Sequence, residues 1–399
     1  MAFKPANQIQ DLQYFGEFGG VNPSISDSST YTFLSAKTMF DTFEGNADGC
    51  YLYSRHSSPS NLYLAEALAA MEGTETATVT ASGMGAITAV LLQLCGAEDH
   101  VVSSRTIYGG TYAFLKNFTP RLGINTSFVD ITNLERVEAA ITPKTKVLYC
   151  ESVSNPLLEV ADIKGLAQLA KTYKLKLVVD NTFSPLSISP YHLGADVVIH
   201  SLTKFINGSS DTVGGVVCGT TELINDLRNV NDGAAMLLGA TMDSLRAASV
   251  LKNLRTLHIR MQQHSSNAAY LAEKFEREGL KTVYPGLTSH PSCGLFKAMM
   301  NEKYGFGGML TIDVGSLEKA NALMELMQKE NLGYLAVSLG FYKTLFSAPG
   351  SSTSSEIPEE EQKSMGLSDG LIRFSIGLDA DIERTFTKMK ACMTQLNIL

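Results

Sequence analysis

Past residue 61 the apolar positions of the chain fall into two alternating patterns. Short, nearly unbroken apolar runs are followed by stretches in which apolar side chains recur every three or four positions. The runs are TATVTA, HVVSS near His100, TSFVD ending at Asp130, KVLYCE ending at Glu151, LKLVVD ending at Asp180, DVVIHS ending at Ser201 and GGVVCG near Val216. An apolar run of this length between turn residues predicts a strand buried on both faces. The periodic stretches predict helices: LYLAEALAAMEG from Leu62, ITAVLLQLC after a glycine turn, residues 134–141 and residues 163–173. Repeated strand–helix units predict a largely parallel central sheet covered on both faces. In such a sheet the ligand sits beyond the carboxyl ends of the strands.

A long helical stretch over residues 242–278 leads into a second, smaller α/β pattern. This comprises strand GGMLTIDV, helix LEKANALMELMQ, strand YLAVSL, a polar loop near residues 351–363, strand LIRFSI and a closing helix from Asp381. The first 60 residues are rich in Gly, Ser and aromatics, lack sustained periodicity and read as an extended arm. The expected division is an arm over 1–60 that contacts a neighbouring subunit, a large domain over 61–255 and a smaller domain over 256–399.

Composition narrows the classes. Of 399 residues, 44% are hydrophobic and 18% charged, enough apolar material for a large core. The net charge of −8 offers little attraction to phosphate backbones or anionic lipid, which argues against nucleic-acid and membrane partners. The apolar stretch around residues 86–95 is interrupted by Thr88 and Gln93 and is too short to span a bilayer. The N-terminus has no apolar signal core, so a soluble cytoplasmic protein is the expectation. Six cysteines without a C-x-x-C pair, several inside apolar runs, read as buried reduced thiols. The seven histidines lack metal-ligand spacing, and no metal site is expected.

The chemistry concentrates at strand ends. Asp180 closes one buried run, Ser201 closes the next, and Lys204 lies on the turn after it. A strand–loop–strand step separates Asp180 from Lys204, so both side chains can enter one cleft. Pyridoxal phosphate (PLP) chemistry needs this pair: an amine to hold the cofactor covalently, and a carboxylate opposite the pyridine nitrogen to keep it protonated and electron-accepting. A solvated surface lysine is the plainer account of a lone S-x-T-K, and the partner aspartate weighs against it. Ser201 and Thr203 flank the lysine and can offer hydroxyls to a phosphate. The SGMGA turn at residues 82–86 places backbone amides and a helix dipole where a phosphate would sit. It also matches half of a dinucleotide fingerprint, but Thr88 occupies the third glycine position, which counts against a nicotinamide cofactor. Tyr108, opening YGGT, can stack on a cofactor ring and exchange protons with a leaving group, or serve as a core or interface tyrosine. Arg373 stands among the apolar residues of LIRFSI and is costly there unless paired. It is either a bidentate clamp on a substrate carboxylate or half of a structural salt bridge. Tyr53 and Arg55, in YLYSRHSSP, carry a hydroxyl and a guanidinium suited to a phosphate.

Together these motifs resemble the Cys/Met-metabolism family of PLP enzymes, which includes cystathionine lyases and synthases, O-acetylhomoserine sulfhydrylases and methionine γ-lyases. The markers are YSR at 53–55, SGMGA, YGGT, ESVSNP at 151–156, VVDNTF, HSLTKF, AVSLG at 336–340 and LIRFSIGLD at 371–379, spread from about Glu17 to near the C-terminus. Within the family the chain is most similar to the plant-type methionine γ-lyase branch, through EFGGVNPSI, YPGLTSHP, LFKAMMNEKYGFGG and SLGFYKTL followed by APGSSTSSE. The resemblance implies an aspartate-aminotransferase-like α/β fold (fold type I) with a smaller C-terminal α/β domain. It implies that Lys204 holds PLP and moves protons, that Asp180 pairs with the ring nitrogen and that Tyr108 stacks on the ring. Gly83, Met84, Ser201 and Thr203 would hold the phosphate, joined by Tyr53 and Arg55 of a neighbouring subunit. Asn155 would lie near the ring hydroxyl, and Ser338 and Arg373 would receive the carboxylate of a sulfur amino acid. Homotetramers built from dimers with shared active sites are implied as well. The implied reaction is γ-elimination of L-methionine, with the cystathionine γ-lyase, O-acetylhomoserine sulfhydrylase and cystathionine γ-synthase reactions as alternatives on the same cofactor residues. Two departures stand out: Ser58 precedes Pro59 where the family usually has Asn-Pro, and Gly110 stands where bacterial methionine γ-lyases usually carry cysteine.

Overall fold

The computed structural model describes residues 3–44, 46, 47, 49–351, 358, 360, 362 and 365–399. Most of the polar loop expected near residues 351–363, including the Ser-rich GSSTSSE segment, lies outside the described residues.

The arm is more structured than its composition suggests. It contains helix α1 (Pro5–Asp11) and helix α2 (Ala36–Phe43), both too short for a periodicity argument to detect. Ser35 caps α2 by accepting from the Thr38 amide. No residue of α2 is buried, and Met39, Phe40 and Phe43 stand exposed on it. Helix α3 (Pro59–Glu72) starts three residues before the expected Leu62. The departure at Ser58 and Pro59 explains this start: the Ser58 hydroxyl accepts from the Asn61 amide, and Pro59 supplies a first-turn residue whose missing N–H costs nothing.

The predicted runs form the central sheet: β1 (Thr76–Thr80), β2 (His100–Ser104), β3 (Asn125–Val129), β4 (Thr145–Glu151), β5 (Lys176–Asp180), β6 (Val197–Ser201) and β7 (Gly215–Gly219). Their order is β1-β7-β6-β5-β4-β2-β3, and only β7 runs against its neighbours. Val147, Leu148, Tyr149 and Cys150 of β4 are fully buried, as expected for a strand covered on both faces. Helix α4 (Gly83–Leu94) packs Ala86, Val90 and Leu91 on one face, against Val101, Val147, Val178 and Val217. Helix α3 and helix Ile163–Tyr173 cover the other face. Each fully buried Val or Leu contributes about 1.5–3 kcal/mol, so the strand ends that carry the site are held by a deep core.

The long helical stretch is two helices, Ser244–Leu254 and Leu257–Arg277, broken at Arg255 and Thr256. Arg260 accounts for the break. Its guanidinium donates to the Asn253 carbonyl at 3.0 Å, taking an acceptor that a continuous helix would have used, and to the Ile206 carbonyl at 2.8 Å. A five-stranded sheet follows, in the order β10-β11-β12-β9-β8. Its strands are β8 (Lys281–Val283), β9 (Met309–Asp313), β10 (Tyr334–Leu335), β11 (Leu345–Ser347) and β12 (Leu371–Ser375). The expected YLAVSL strand is only two residues long, because the chain turns away after Leu335 and delivers Ser338 to Lys204. Strands β8 and β11 are too short to have shown a pattern. One face of this sheet buries Leu310, Ile312, Phe346 and Phe374 in a second core. On the other face Thr311, Arg373 and Ser347 lie directly across from one another.

Among the described residues no helix is long and apolar enough to cross a membrane, and no group of His, Cys, Asp or Glu could hold a metal ion. All six cysteines are free, five of them buried, while Cys50 is exposed.

Candidate active site

Three strand ends, one strand interior and one helix start converge on a cavity of about 220 Å³. Strand β4 ends there in Glu151, β5 in Asp180 and β6 in Ser201, and the turn after β6 carries Thr203 and Lys204. From the smaller sheet, β12 contributes Arg373. Gly83, Met84, Tyr108 and Asn155 complete the set, so nine residues singled out from the sequence line one cavity. Ser338 joins it by a 3.1 Å hydrogen bond with the Lys204 Nζ. Tyr53 and Arg55 do not line this cavity. Tyr53 is half exposed, and Arg55 lies over its ring while donating to the Met236 carbonyl at 3.1 Å.

Burial sets the electrostatics. It pushes the Lys204 ammonium down to about 8, helped by the positive charge of Arg373. The same desolvation pushes Asp180 and Glu151 up, and the two carboxyl groups sit directly opposite each other at the ends of β5 and β4. Asp180 is anchored by the amide and hydroxyl of Thr182, both donating to its Oδ1. The Thr182 hydroxyl also accepts from the Ser201 amide at 2.8 Å, tying β5 to β6. Thr182 and Glu151 are the two polar cavity residues that sequence reasoning passed over. Glu151 did carry a signal, an acid closing an apolar run.

Arg373 is 2% exposed and has no carboxylate partner among the described residues, so a structural salt bridge does not account for it. One Nη donates to Asn155 Oδ1 at 2.9 Å, the other to the Ser338 carbonyl at 3.4 Å, and the buried Nε has no partner. A buried guanidinium with an unused N–H is equipped to receive an anion.

The glycine turn proves to be the first turn of α4. Ser82 caps it by accepting from the Gly85 amide at 2.9 Å, which leaves the Gly83 and Met84 amides without intrahelical acceptors. A Cβ at Gly83 would lie 2.8 Å from the Ser201 Cβ and 3.0 Å from its Oγ. Glycine therefore lets the helix start approach the end of β6 and form an anion cradle. Gly83→Ala is expected to push this cradle open and weaken cofactor binding about tenfold, on the scale of one lost charge-assisted hydrogen bond. Titration of the cofactor-free protein with PLP, followed by absorbance, checks it. Gly110 plays a parallel part. A Cβ there would meet the Tyr108 ring at 2.6 Å, so glycine makes room for that ring at the cavity.

These groups fit PLP: an amine with a lowered pKa for the aldehyde, a buried carboxyl for the ring nitrogen, helix amides for the phosphate, and an unpaired arginine for an amino-acid carboxylate.

Comparison with known proteins agrees. The chain is 45% identical to a methionine gamma-lyase of Arabidopsis thaliana, covering 98% of this chain and 90% of that protein. It is 37% identical to an O-succinylhomoserine sulfhydrylase of Pseudomonas aeruginosa, covering 91% and 88%. A solved Campylobacter jejuni structure containing N'-pyridoxyl-lysine-5'-monophosphate superposes with a TM-score of 0.90 at 29% identity, covering 98% of this chain and all of that one. Residues 7–389 match the family described as Cys/Met metabolism PLP-dependent enzyme, and the chain belongs to it.

Proposed function

We propose that this enzyme catalyses the γ-elimination of L-methionine, in which methionine and water give methanethiol, 2-oxobutyrate and ammonia. The observation that carries the reading is the apolar character of the cavity wall. Ile87, Phe183, Val213, Val337 and Leu339 line it, and its charged side chains are Glu151, Asp180, Lys204 and Arg373. Asp180, Lys204 and Arg373 have parts at the α-carbon end of an amino acid or beneath the cofactor, and Glu151 has both carboxylate oxygens taken by backbone amides. Among the described residues of this cavity none remains for the second amino-acid group of cystathionine, whereas the S-methyl of methionine suits an apolar wall. The 45% identity to a methionine gamma-lyase supports the same choice.

PLP supplies the electron-accepting ring for charge that develops at the α-carbon. Arg373 receives the substrate carboxylate. Lys204, half-buried and turned toward Ser338, removes the α-proton and returns it later. Asp180 pairs with the ring nitrogen, and Thr182 holds its carboxyl in place. Tyr108 stands at the cavity to deliver a proton to the departing thiolate.

The reading extends to assembly. Tyr53 and Arg55 serve the cavity of a neighbouring copy in a homotetramer. Their position off their own cavity supports this, as does an arm that leaves Phe15, Phe18, Val21, Leu34 and Phe40 exposed, Phe18 by 99%.

The test is product analysis. PLP-loaded enzyme is incubated with L-methionine while 2-oxobutyrate and headspace methanethiol are followed. Cystathionine, homocysteine, and O-acetylhomoserine with sulfide run in parallel. Both products, at a rate competitive with the other substrates, are expected. Methionine left intact while another substrate reacts would reassign the reaction and leave the family untouched.

A further inference from the structure

Glu151 has no part in the steps above, yet it lines the cavity, is 7% exposed and spends both carboxylate oxygens on backbone amides. Its Oε1 accepts from the Tyr108 amide at 2.7 Å and its Oε2 from the Asn155 amide at 2.9 Å. These amides belong to different loops, one following β2 and the other following β4. Each loop places one group of the proposed chemistry. The first sets where the Tyr108 phenol stands. The second carries the Asn155 side chain, whose Oδ1 takes the Arg373 Nη1 at 2.9 Å, and Arg373 belongs to the other sheet. A continuous chain of hydrogen bonds thus runs from Tyr108 through Glu151 and Asn155 to Arg373. It continues from the Arg373 Nη2 to the backbone of Ser338, whose hydroxyl meets Lys204.

We propose that Glu151 is a positioning residue: a single buried carboxylate that fixes the spacing between the proton donor Tyr108 and the carboxylate clamp Arg373. The inference rests on the roles given above to those two residues. The chemistry of the residue type supports it. Two N–H donors converge on one side chain from opposite sides, and only a carboxylate accepts on both of its ends. Glutamine has nearly the same shape but turns an NH₂ toward one of the amides, so one loop loses its anchor. Aspartate keeps the charge and loses a methylene of reach. The position is also an expensive one for an acid, buried and directly opposite Asp180 at the end of the neighbouring strand. A side chain serving only to fill this space could be neutral.

The experiment reads binding apart from cleavage. Norleucine matches methionine with a methylene in place of sulfur, so it binds without a leaving group, and its binding is followed by the absorbance of the bound cofactor. In Glu151→Gln holoenzyme, norleucine affinity is expected to fall about tenfold while cofactor content stays at the wild-type level. Asn155→Ala should show a similar loss. The double variant should bind no worse than Asn155→Ala by more than about twofold, because both changes cut the same path to Arg373. With a reactive substrate, kcat of Glu151→Gln should fall as well, through the Tyr108 branch, while Asn155→Ala should change KM more than kcat. Where Glu151→Gln fails to retain cofactor, Glu151→Asp is read with the same expectation. Cofactor-loaded Glu151→Gln or Glu151→Asp with wild-type norleucine affinity would overturn the proposal, and so would losses that multiply in the double variant. An enzyme that binds norleucine but leaves methionine intact would remove the methionine reading alone.

Discussion

Lys204→Ala holoenzyme is expected to lose at least ~10³-fold in kcat and to release its cofactor on gel filtration. The lysine has two tasks, and alanine can do neither. Its amine must be neutral to attach the cofactor and to take a proton, and burial arranges this by holding its pKa at about 8. Roughly a tenth of such amines are neutral at pH 7, against fewer than one in a thousand for an ordinary lysine. Turnover and cofactor absorbance of the purified variant decide the matter, and a normal rate would end the scheme. The same burial has a signature in the cofactor-free protein. The folded-state pKa lies below the unfolded one, so the folded chain gives up its proton first as pH rises. Below about 8 both states carry the charge and the desolvation penalty is complete. Above that value the penalty is relieved, and stability rises with pH until the unfolded lysine also titrates. Cofactor-free Lys204→Met should therefore be more stable than the parent chain at pH 7, by a margin that shrinks at pH 9.5. Urea midpoints at the two pH values measure it.

Asp180→Asn is expected to lower kcat roughly 10²–10³-fold, the scale of removing one preorganised charge from a buried site, while cofactor remains attached. In the proposed scheme attachment depends on Lys204 and the start of α4, which the substitution leaves alone. The ring nitrogen loses the anion that keeps it protonated, so the ring accepts electrons poorly. Stability should move the other way in the cofactor-free protein. Burial raises the Asp180 carboxyl, outweighing the hydrogen bonds from Thr182 that lower it. A folded-state pKa above the unfolded one means that stability falls as pH climbs past the ordinary carboxylate range. The amide does not titrate, so cofactor-free Asp180→Asn should melt above the parent at pH 7, with the difference closing near pH 4. A variant that turns over at the parent rate would show that the ring nitrogen has no need of this carboxylate. On the proposed scheme both residues trade stability of the empty protein for function, as catalytic groups commonly do.

How much of this was legible follows from the physics of each signal. Buried parallel strands are nearly pure apolar runs, so their ends are sharp, and Asp180, Ser201 and Lys204 could be placed by reading to the end of a run. Helix Ile163–Tyr173 was read to the residue, because its stripe is regular and Asp162 caps it. Short elements left no trace: α1 and α2 span seven and eight residues and β8 and β11 three each, too few for a period to show. The break at Arg255 and Thr256 was invisible because its cause is a side chain arriving from Arg260. Arg373 announced itself as a charge among apolar residues, but only the fold shows which partners it has and which it lacks. Glu151 and Thr182 were passed over for the opposite reason. Glu151 matters through two backbone amides and Thr182 through the Asp180 carboxyl and the Ser201 amide, and no spacing in the sequence records such bonds.

The order of the large sheet has a consequence in time. Strand β7, the last of the seven to be synthesised, lies between β1 and β6. The start of α4, which follows β1, therefore cannot settle beside Ser201 until residue 219 has left the ribosome. Arg373 arrives 169 residues after Lys204, a lag of about 8–34 s at ordinary elongation rates. A nascent chain thus has every residue of the PLP cradle drawn from its own large sheet well before it has the clamp that admits an amino acid. On the proposed roles, pyridoxal phosphate present during translation would meet its own chain's holding residues before the residue that receives substrate has been made.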